Sequence, residues 1–173
     1  MSRFLLASLF VLAASPSSAQ TGQRSTVVFA DAIGPTGAYA LGVERAVWTS
    51  AASERQLRLR LGASYWTETF LLDGPTDRVI TVPAGASALF ALGRPLGVPA
   101  AFEFGVGAVF VRRSGSRYGS VGERFTLPAY AEAALRAGLG DRVGLRVGAS
   151  VGGEASELAG GGVRPVVGVG VGL

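Results

Sequence analysis

The stretch Val163-Arg164-Pro165-Val166-Val167-Gly168-Val169-Gly170-Val171-Gly172-Leu173 constrains the fold of this chain more than any other. Every odd position in it is apolar, and the even positions hold Arg164, Val166, Gly168, Gly170 and Gly172. A repeat of two puts side chains alternately on opposite faces of an extended strand and does not suit a helix. One face is then an apolar stripe and the other nearly bare backbone, which other groups can approach closely. Arg142–Val151 repeats the pattern, with Val143, Leu145, Val147, Ala149 and Val151 opposing Arg142, Gly144, Arg146, Gly148 and Ser150. A chain that keeps this alternation to its last residue is expected to close its sheet into a β-barrel.

The rest of the chain reads as about eight strands, near the smallest closed barrel expected in an outer membrane. They are placed at Thr26–Ile33, Ala38–Trp48, Arg55–Trp66, Arg78–Leu92, Ala100–Arg112, Phe125–Ala137, Arg142–Val151 and Val163–Leu173. Gly34-Pro35-Thr36-Gly37 suits a tight first turn. Afterwards short links (Thr49–Glu54, Gly93–Pro99, Gly138–Asp141) alternate with longer ones (Thr67–Asp77, Arg113–Arg124, Gly152–Gly162). Outer-membrane barrels have this asymmetry, with short turns at one end and longer loops at the other. Aromatics follow it: Trp48, Phe90, Phe102 and Phe104 fall near the short-turn rim, and Tyr65, Trp66, Phe110, Phe125 and Tyr130 near the long-loop rim. Such girdles are expected at the two membrane interfaces. The expected class is therefore an all-β, closed, antiparallel up-and-down barrel that spans the outer membrane.

Periodicity does not say which face is outside, because a secreted lipocalin-like ligand-binding barrel alternates in the same way with its apolar face inward. The polar face argues for the membrane reading. It is mostly Gly, Ala and Ser with an occasional charge, a poor soluble surface but a suitable filling for a narrow lumen. Leu57, Leu59, Leu61, Val143, Leu145, Val147, Val167, Val169 and Val171 are then expected to face lipid. Charged residues make up 16% of the chain, below the ~25% usual for soluble domains.

Residues 1–19 have the grammar of a secretory signal peptide: Arg3, the apolar run Phe4–Ala14, and small residues ending at Ala19. That run is shorter than the ~20 residues of a membrane helix. Cleavage after Ala19 leaves a mature barrel domain at 20–173, exported to the bacterial outer membrane. Removing Arg3 lowers the net charge from +4 to +3, and the charges are dispersed, which disfavours a nucleic-acid partner.

The chemistry is confined to the polar face, which carries Asp31, Glu44, Glu103 and Glu132 with Arg58, Arg60, Arg136, Arg142, Arg146 and Arg164. Arginine pairs with carboxylates through a permanently charged fork, so these residues are expected to form a network that closes the lumen. Glu132 and Arg136 share a face but lie about 13 Å apart along their strand, so their partners are expected on neighbouring strands. Arg112, Arg113, Arg117 and Arg124 are placed in an external loop, where they would meet solvent, lipid headgroups or a partner.

The chain has neither His nor Cys, which excludes a Ser–His–acid relay and a thiolate nucleophile. The acids are dispersed, so no metal or cofactor site is expected, and Gly160-Gly161-Gly162 lacks the strand–turn–helix context of a phosphate loop. The expected function is non-enzymatic: a structural or loop-mediated interaction role in a monomeric barrel contacting outer-membrane lipid and a loop-binding protein or lipopolysaccharide. A narrow, weakly selective pore is the alternative membrane reading.

Asp31-Ala32-Ile33-Gly34-Pro35-Thr36-Gly37-Ala38-Tyr39-Ala40-Leu41-Gly42-Val43-Glu44-Arg45 resembles the opening of an uncharacterised family of small outer-membrane β-barrel proteins. Thr81-Val82-Pro83-Ala84-Gly85 with Leu89-Phe90, and Phe102-Glu103-Phe104-Gly105-Val106-Gly107, are similar to that family's middle strands. The chain departs from the pattern at Gly42-Val43, where the family has Asn-Tyr, and at Leu173, where an aromatic is common. The resemblance implies fold and location and no particular activity.

Overall fold

A computed structural model describes residues 26–33, 39–50, 52, 54–69, 76–115, 122–139, 142–153 and 162–173, with backbone only at 33, 68–69, 76–77, 122–124 and 153. The expected signal peptide, its cleavage point, the turn at Gly34–Gly37 and Arg117 lie outside the described residues.

The strands are β1 (Thr26–Ile33), β2 (Ala40–Thr49), β3 (Arg55–Thr69), β4 (Thr76–Gly93), β5 (Ala100–Gly115), β6 (Gly122–Thr126), β7 (Ala129–Leu139), β8 (Val143–Gly153) and β9 (Val163–Gly172). Each pairs antiparallel with its neighbour in sequence, except that β7 pairs with β5 and not with β6, with which it lies end to end. β6 and β7 thus share one place in the wall, and the ring has eight positions. The break falls at Leu127-Pro128, inside the segment expected as one strand from Phe125 to Ala137. Proline has no N–H to give the ladder, and here its carbonyl accepts from the Val109 N–H at 2.9 Å.

Closure runs through the C-terminal stretch. β9 pairs with β8 in the register Val143↔Val171 to Val151↔Val163, and with β1 from Val27↔Gly172 onward. The Gly172 N–H donates to the Arg142 carbonyl at 2.7 Å, and the Leu173 N–H to the Thr26 carbonyl at 3.0 Å. Backbone groups that would form a sticky edge are thereby consumed.

The alternation fixes what faces where. Outside lie Leu57, Leu59, Phe102, Phe104, Val106, Leu145, Val147, Val167, Val169 and Val171, all well exposed. Leu61 and Val143 share that face and are half-buried. Inside lie Asp31, Glu44, Arg58, Arg60, Glu103, Glu132 and Arg146, all buried. An apolar exterior around a charged interior inverts the soluble barrel and has the arrangement of a bilayer-spanning one.

Two expectations about the long-loop end need correction. Two of the segments read there as loops are in part paired strand: β3 runs on to Thr69, β4 starts at Thr76, β5 reaches Gly115 and β6 begins at Gly122. The connection at 70–75 is consequently no longer than the short-turn link at 94–99. Part of the asymmetry therefore lies in strand length, because hairpin pairing satisfies backbone groups that a loop would leave to solvent. Arg112, Arg113 and Arg124 accordingly sit on β5 and β6, with Arg113 opposite Arg124 in register. In addition, not all the long-loop aromatics form a girdle. Tyr65, Phe110 and Phe125 are exposed on the outside, the last two with ring centroids 5.8 Å apart. Trp66 and Tyr130 turn inward, since they are in phase with Arg60 and Glu132 on their own strands.

Candidate functional site

The lumen holds the charged residues, arranged in a belt to which six strands contribute. Asp31 comes from β1, Glu44 from β2, Arg58 and Arg60 from β3, Glu103 from β5, Glu132 and Arg136 from β7, and Arg146 from β8. β4 and β9 place Gly85, Ser87, Gly168 and Gly170 on the inward face at these levels and contribute no charge.

Arg136 is the central clamp. Its Nη1 and Nη2 donate to the two Glu44 oxygens at 2.8 and 2.5 Å, while Nε and Nη2 donate to Glu103 at 2.7 and 2.9 Å. One guanidinium thus ties β7 to β5 beside it and to β2 across the lumen, using the bidentate geometry that lysine lacks. Arg58 adds a second donor to Glu44 at 2.5 Å, and its Nε donates to Gln56 at 3.1 Å. Arg146 Nε donates to Glu103 at 2.8 Å, and its Nη2 contacts Glu132. Arg60 donates to Asp31 and lies over the Phe29 ring, 3.7 Å from the centroid, in a cation–π arrangement. Longer contacts complete the belt, Arg60 Nη1 to Glu132 at 3.8 Å and Arg146 Nη1 to Asp31 at 3.7 Å.

Eight of the ten expected lumen residues therefore come together. Glu132 and Arg136 do not pair with each other, in accord with their spacing. Their partners are not confined to neighbouring strands, since Arg136 reaches Glu44 and Glu132 approaches Arg60 from across the lumen. Arg142 and Arg164 lie at opposite ends of the inward face. Both are exposed and form no ion pair among the described residues.

Between the belt and the long-loop end lies a layer that sequence reading did not anticipate. Val79, Val109, Val111 and Tyr130 form a buried apolar cluster, with Trp66 packed against it. Beside it Ser64 and Thr81 satisfy each other through a 2.6 Å hydroxyl hydrogen bond. Strand phase alone marked Trp66, Tyr130 and Val166 as inward. What hid the layer was the expectation that Trp66 and Tyr130 belong to an aromatic girdle at the membrane interface.

The inward glycines serve this packing. A side chain at Gly107 or Gly85 would strike Tyr130, one at Gly105 would strike Glu132, one at Gly168 would strike Asp31, and one at Gly42 would strike Phe29. The nearest side chains at these five positions are thus aromatic rings and carboxylates, with the backbone of the neighbouring strand closer still at Gly42 and Gly107.

On the short-turn side of the belt the lumen opens into a cavity of about 190 Å³ bordered by Pro99, Gly138, Arg142 and Gly172. From one end to the other the lumen is therefore a vestibule, a charged belt and an apolar cap. Among the described residues no cluster of His, Cys, Asp and Glu could hold a metal ion.

No family model and no curated protein matches the chain. Solved structures do. Ail, the attachment invasion locus protein of Yersinia pestis, matches with a TM-score of 0.51 at 9% identity, covering 84% of this chain and 92% of that one. Its complex with the heparin analogue sucrose octasulfate matches with a TM-score of 0.52 at 11% identity, covering 84% of this chain and 94% of that one. At such identities the likeness is one of fold, a small, closed, antiparallel β-barrel.

Proposed function

We propose that the mature chain is an outer-membrane barrel with a sealed lumen, acting through the surface it displays at its long-loop end and not through transport or catalysis. The observation that carries the reading is the double closure of the lumen, by a belt of eight paired charges and by an apolar cap behind it. A narrow pore would need a continuous wet path, and an eight-stranded barrel leaves little bore to begin with. A lipocalin-like carrier would need an apolar interior, whereas the charges here are inside and the apolar face outside.

The long-loop end is the natural place for contact. β3, β4 and β5 extend furthest there, and Arg113 stands exposed on the extension. The structural neighbour Ail carries attachment in its name and was crystallised with a polyanionic heparin analogue. That supports an interaction role at this end toward lipopolysaccharide or another anionic surface partner. A non-enzymatic role is supported by a lumen whose carboxylates are each engaged by arginine, and by the lack of His and Cys in the whole chain.

Two measurements test the proposal. Purified mature protein in a planar bilayer is expected to give no stable channels, and reproducible unitary conductance would replace the sealed-lumen reading with the pore. Val106→Arg, in the middle of the exposed outer face, is expected to cost about 2–4 kcal/mol on unfolding from lipid vesicles. A neutral effect would place that face in water.

A further inference from the structure

The link between β4 and β5, Arg94-Pro95-Leu96-Gly97-Val98-Pro99, differs in kind from the link between β2 and β3. Thr49–Glu54 is made of hydroxyl-bearing, small and acidic residues, whereas 94–99 carries no polar side chain beyond Arg94. At its tip Leu96 is fully exposed. The Leu96 backbone lies in the left-handed region, at φ 55° and ψ 27°. Among the described residues it is the only one other than glycine with a positive φ, and the glycines that share this feature, Gly93 and Gly97, stand on either side of it. A β-carbon crowds the following carbonyl in that conformation, so glycine suits it and leucine rarely adopts it. Leu96 thus carries a backbone cost and buries none of its side chain within the fold. The turn is nevertheless well held. The Gly97 N–H donates to the Arg94 carbonyl and the Val98 N–H to the Pro95 carbonyl, both at 3.1 Å, and the Gly138 N–H donates to the Pro99 carbonyl at 2.8 Å. Beside it the outer apolar face runs to the end of the wall, with Phe90, Leu92, Phe102 and Leu139 all exposed. Arg94 is the first polar residue past Leu92.

We propose that Leu96 is a membrane anchor: the β4–β5 link lays its apolar tip into the interfacial region of the leaflet at the short-turn end. The partner is lipid, because the tip continues a surface that already faces the bilayer. Burial of the leucine side chain there offsets what the left-handed backbone costs. Arg94 at the base of the link fits the same depth, with its stem along the apolar rim and its charge at the headgroups. An anchor on one side of the ring biases the depth and tilt of the barrel, which in membrane-spanning elements are set by such interfacial residues. The inference rests on the bilayer-spanning reading of the outer face, and the experiment separates the two.

The chain has no cysteine, so a single introduced one takes a nitroxide spin label at one known place. Three variants of the mature protein are reconstituted in vesicles of phosphatidylethanolamine and phosphatidylglycerol. They are Leu96→Cys, Ala52→Cys in the exposed polar link, and Val106→Cys in the middle of the outer face. Electron paramagnetic resonance then compares collisions with oxygen, which partitions into lipid, and with a nickel chelate, which stays in water. The Ala52 label is expected to meet nickel freely and the Val106 label to be shielded from it. The Leu96 label is expected to meet nickel several-fold less often than the Ala52 label, and oxygen more often. Equal nickel accessibility at the two turns, beside a shielded Val106 label, would overturn the anchor and leave the bilayer-spanning reading intact. A Val106 label open to nickel would overturn both.

Discussion

The charged belt and the apolar cap fill the same lumen by opposite means. In the belt, the four buried carboxylates Asp31, Glu44, Glu103 and Glu132 are compensated by arginines from other strands, and the geometry is set by directional hydrogen bonds. In the cap, Tyr130 and three valines fill the space by shape, with a single hydroxyl pair as polar content. The difference teaches which layer is brittle. A buried ion network tolerates no missing member, since the remaining charge stays in a low-dielectric site. An apolar layer loses only the contacts deleted and can partly relax into the gap.

The comparison is tested most severely at Glu103, which is 0% exposed and engaged by both Arg136 and Arg146. Glu103→Ala is expected to cost about 3–5 kcal/mol in urea unfolding of the refolded barrel, by stranding two guanidiniums. A loss no larger than that of a cap truncation would remove the distinction. Tyr130→Ala, the largest truncation among the buried cap residues, is expected to cost about 3 kcal/mol, the low end for a buried aromatic because the layer can relax into the gap, and to leave the bilayer non-conducting because the belt remains. Conductance in that variant alone would mean that the cap is the only seal. Gly107→Ala inserts a methyl group against Tyr130 and the wall behind it. A cost of about 1–2 kcal/mol is expected, as for other overpacked cores, and combined with Tyr130→Ala the penalty is expected to shrink without vanishing, because the Ala84 carbonyl still meets the added methyl group. Arg164→Gln should change stability by less than about 0.5 kcal/mol, since an exposed charge outside any network contributes little. A larger loss would extend the belt to the long-loop rim.

The Leu/Arg alternation of β3 and the Val/Gly alternation of β9 made the strands, their faces and the closed barrel legible from the sequence, because backbone geometry alone enforces a period of two. The same parity assigned Asp31, Glu44, Arg58, Arg60, Glu103, Glu132, Arg136 and Arg146 to one surface. It also carried Trp66 and Tyr130 there, where an expectation about membrane girdles had assigned them to the rim. Strand ends were harder to place. Polar residues such as Thr67 and Arg113 look like loop, yet they pair because a facing strand satisfies their backbone.

Local sequence therefore determined the secondary structure, the inward and outward sets and the chemical character of each face. Only the tertiary structure decided who meets whom across the lumen. That Arg136 joins Glu44 to Glu103, that Tyr130 lies over Gly85 and Gly107, and that Arg142 stands alone at a vestibule all depend on the register between strands. They depend equally on the curvature that brings opposite walls within reach of one side chain. Each strand's parity is local, but register and curvature belong to the closed ring, where a shift of one strand would have to be matched around the whole circuit.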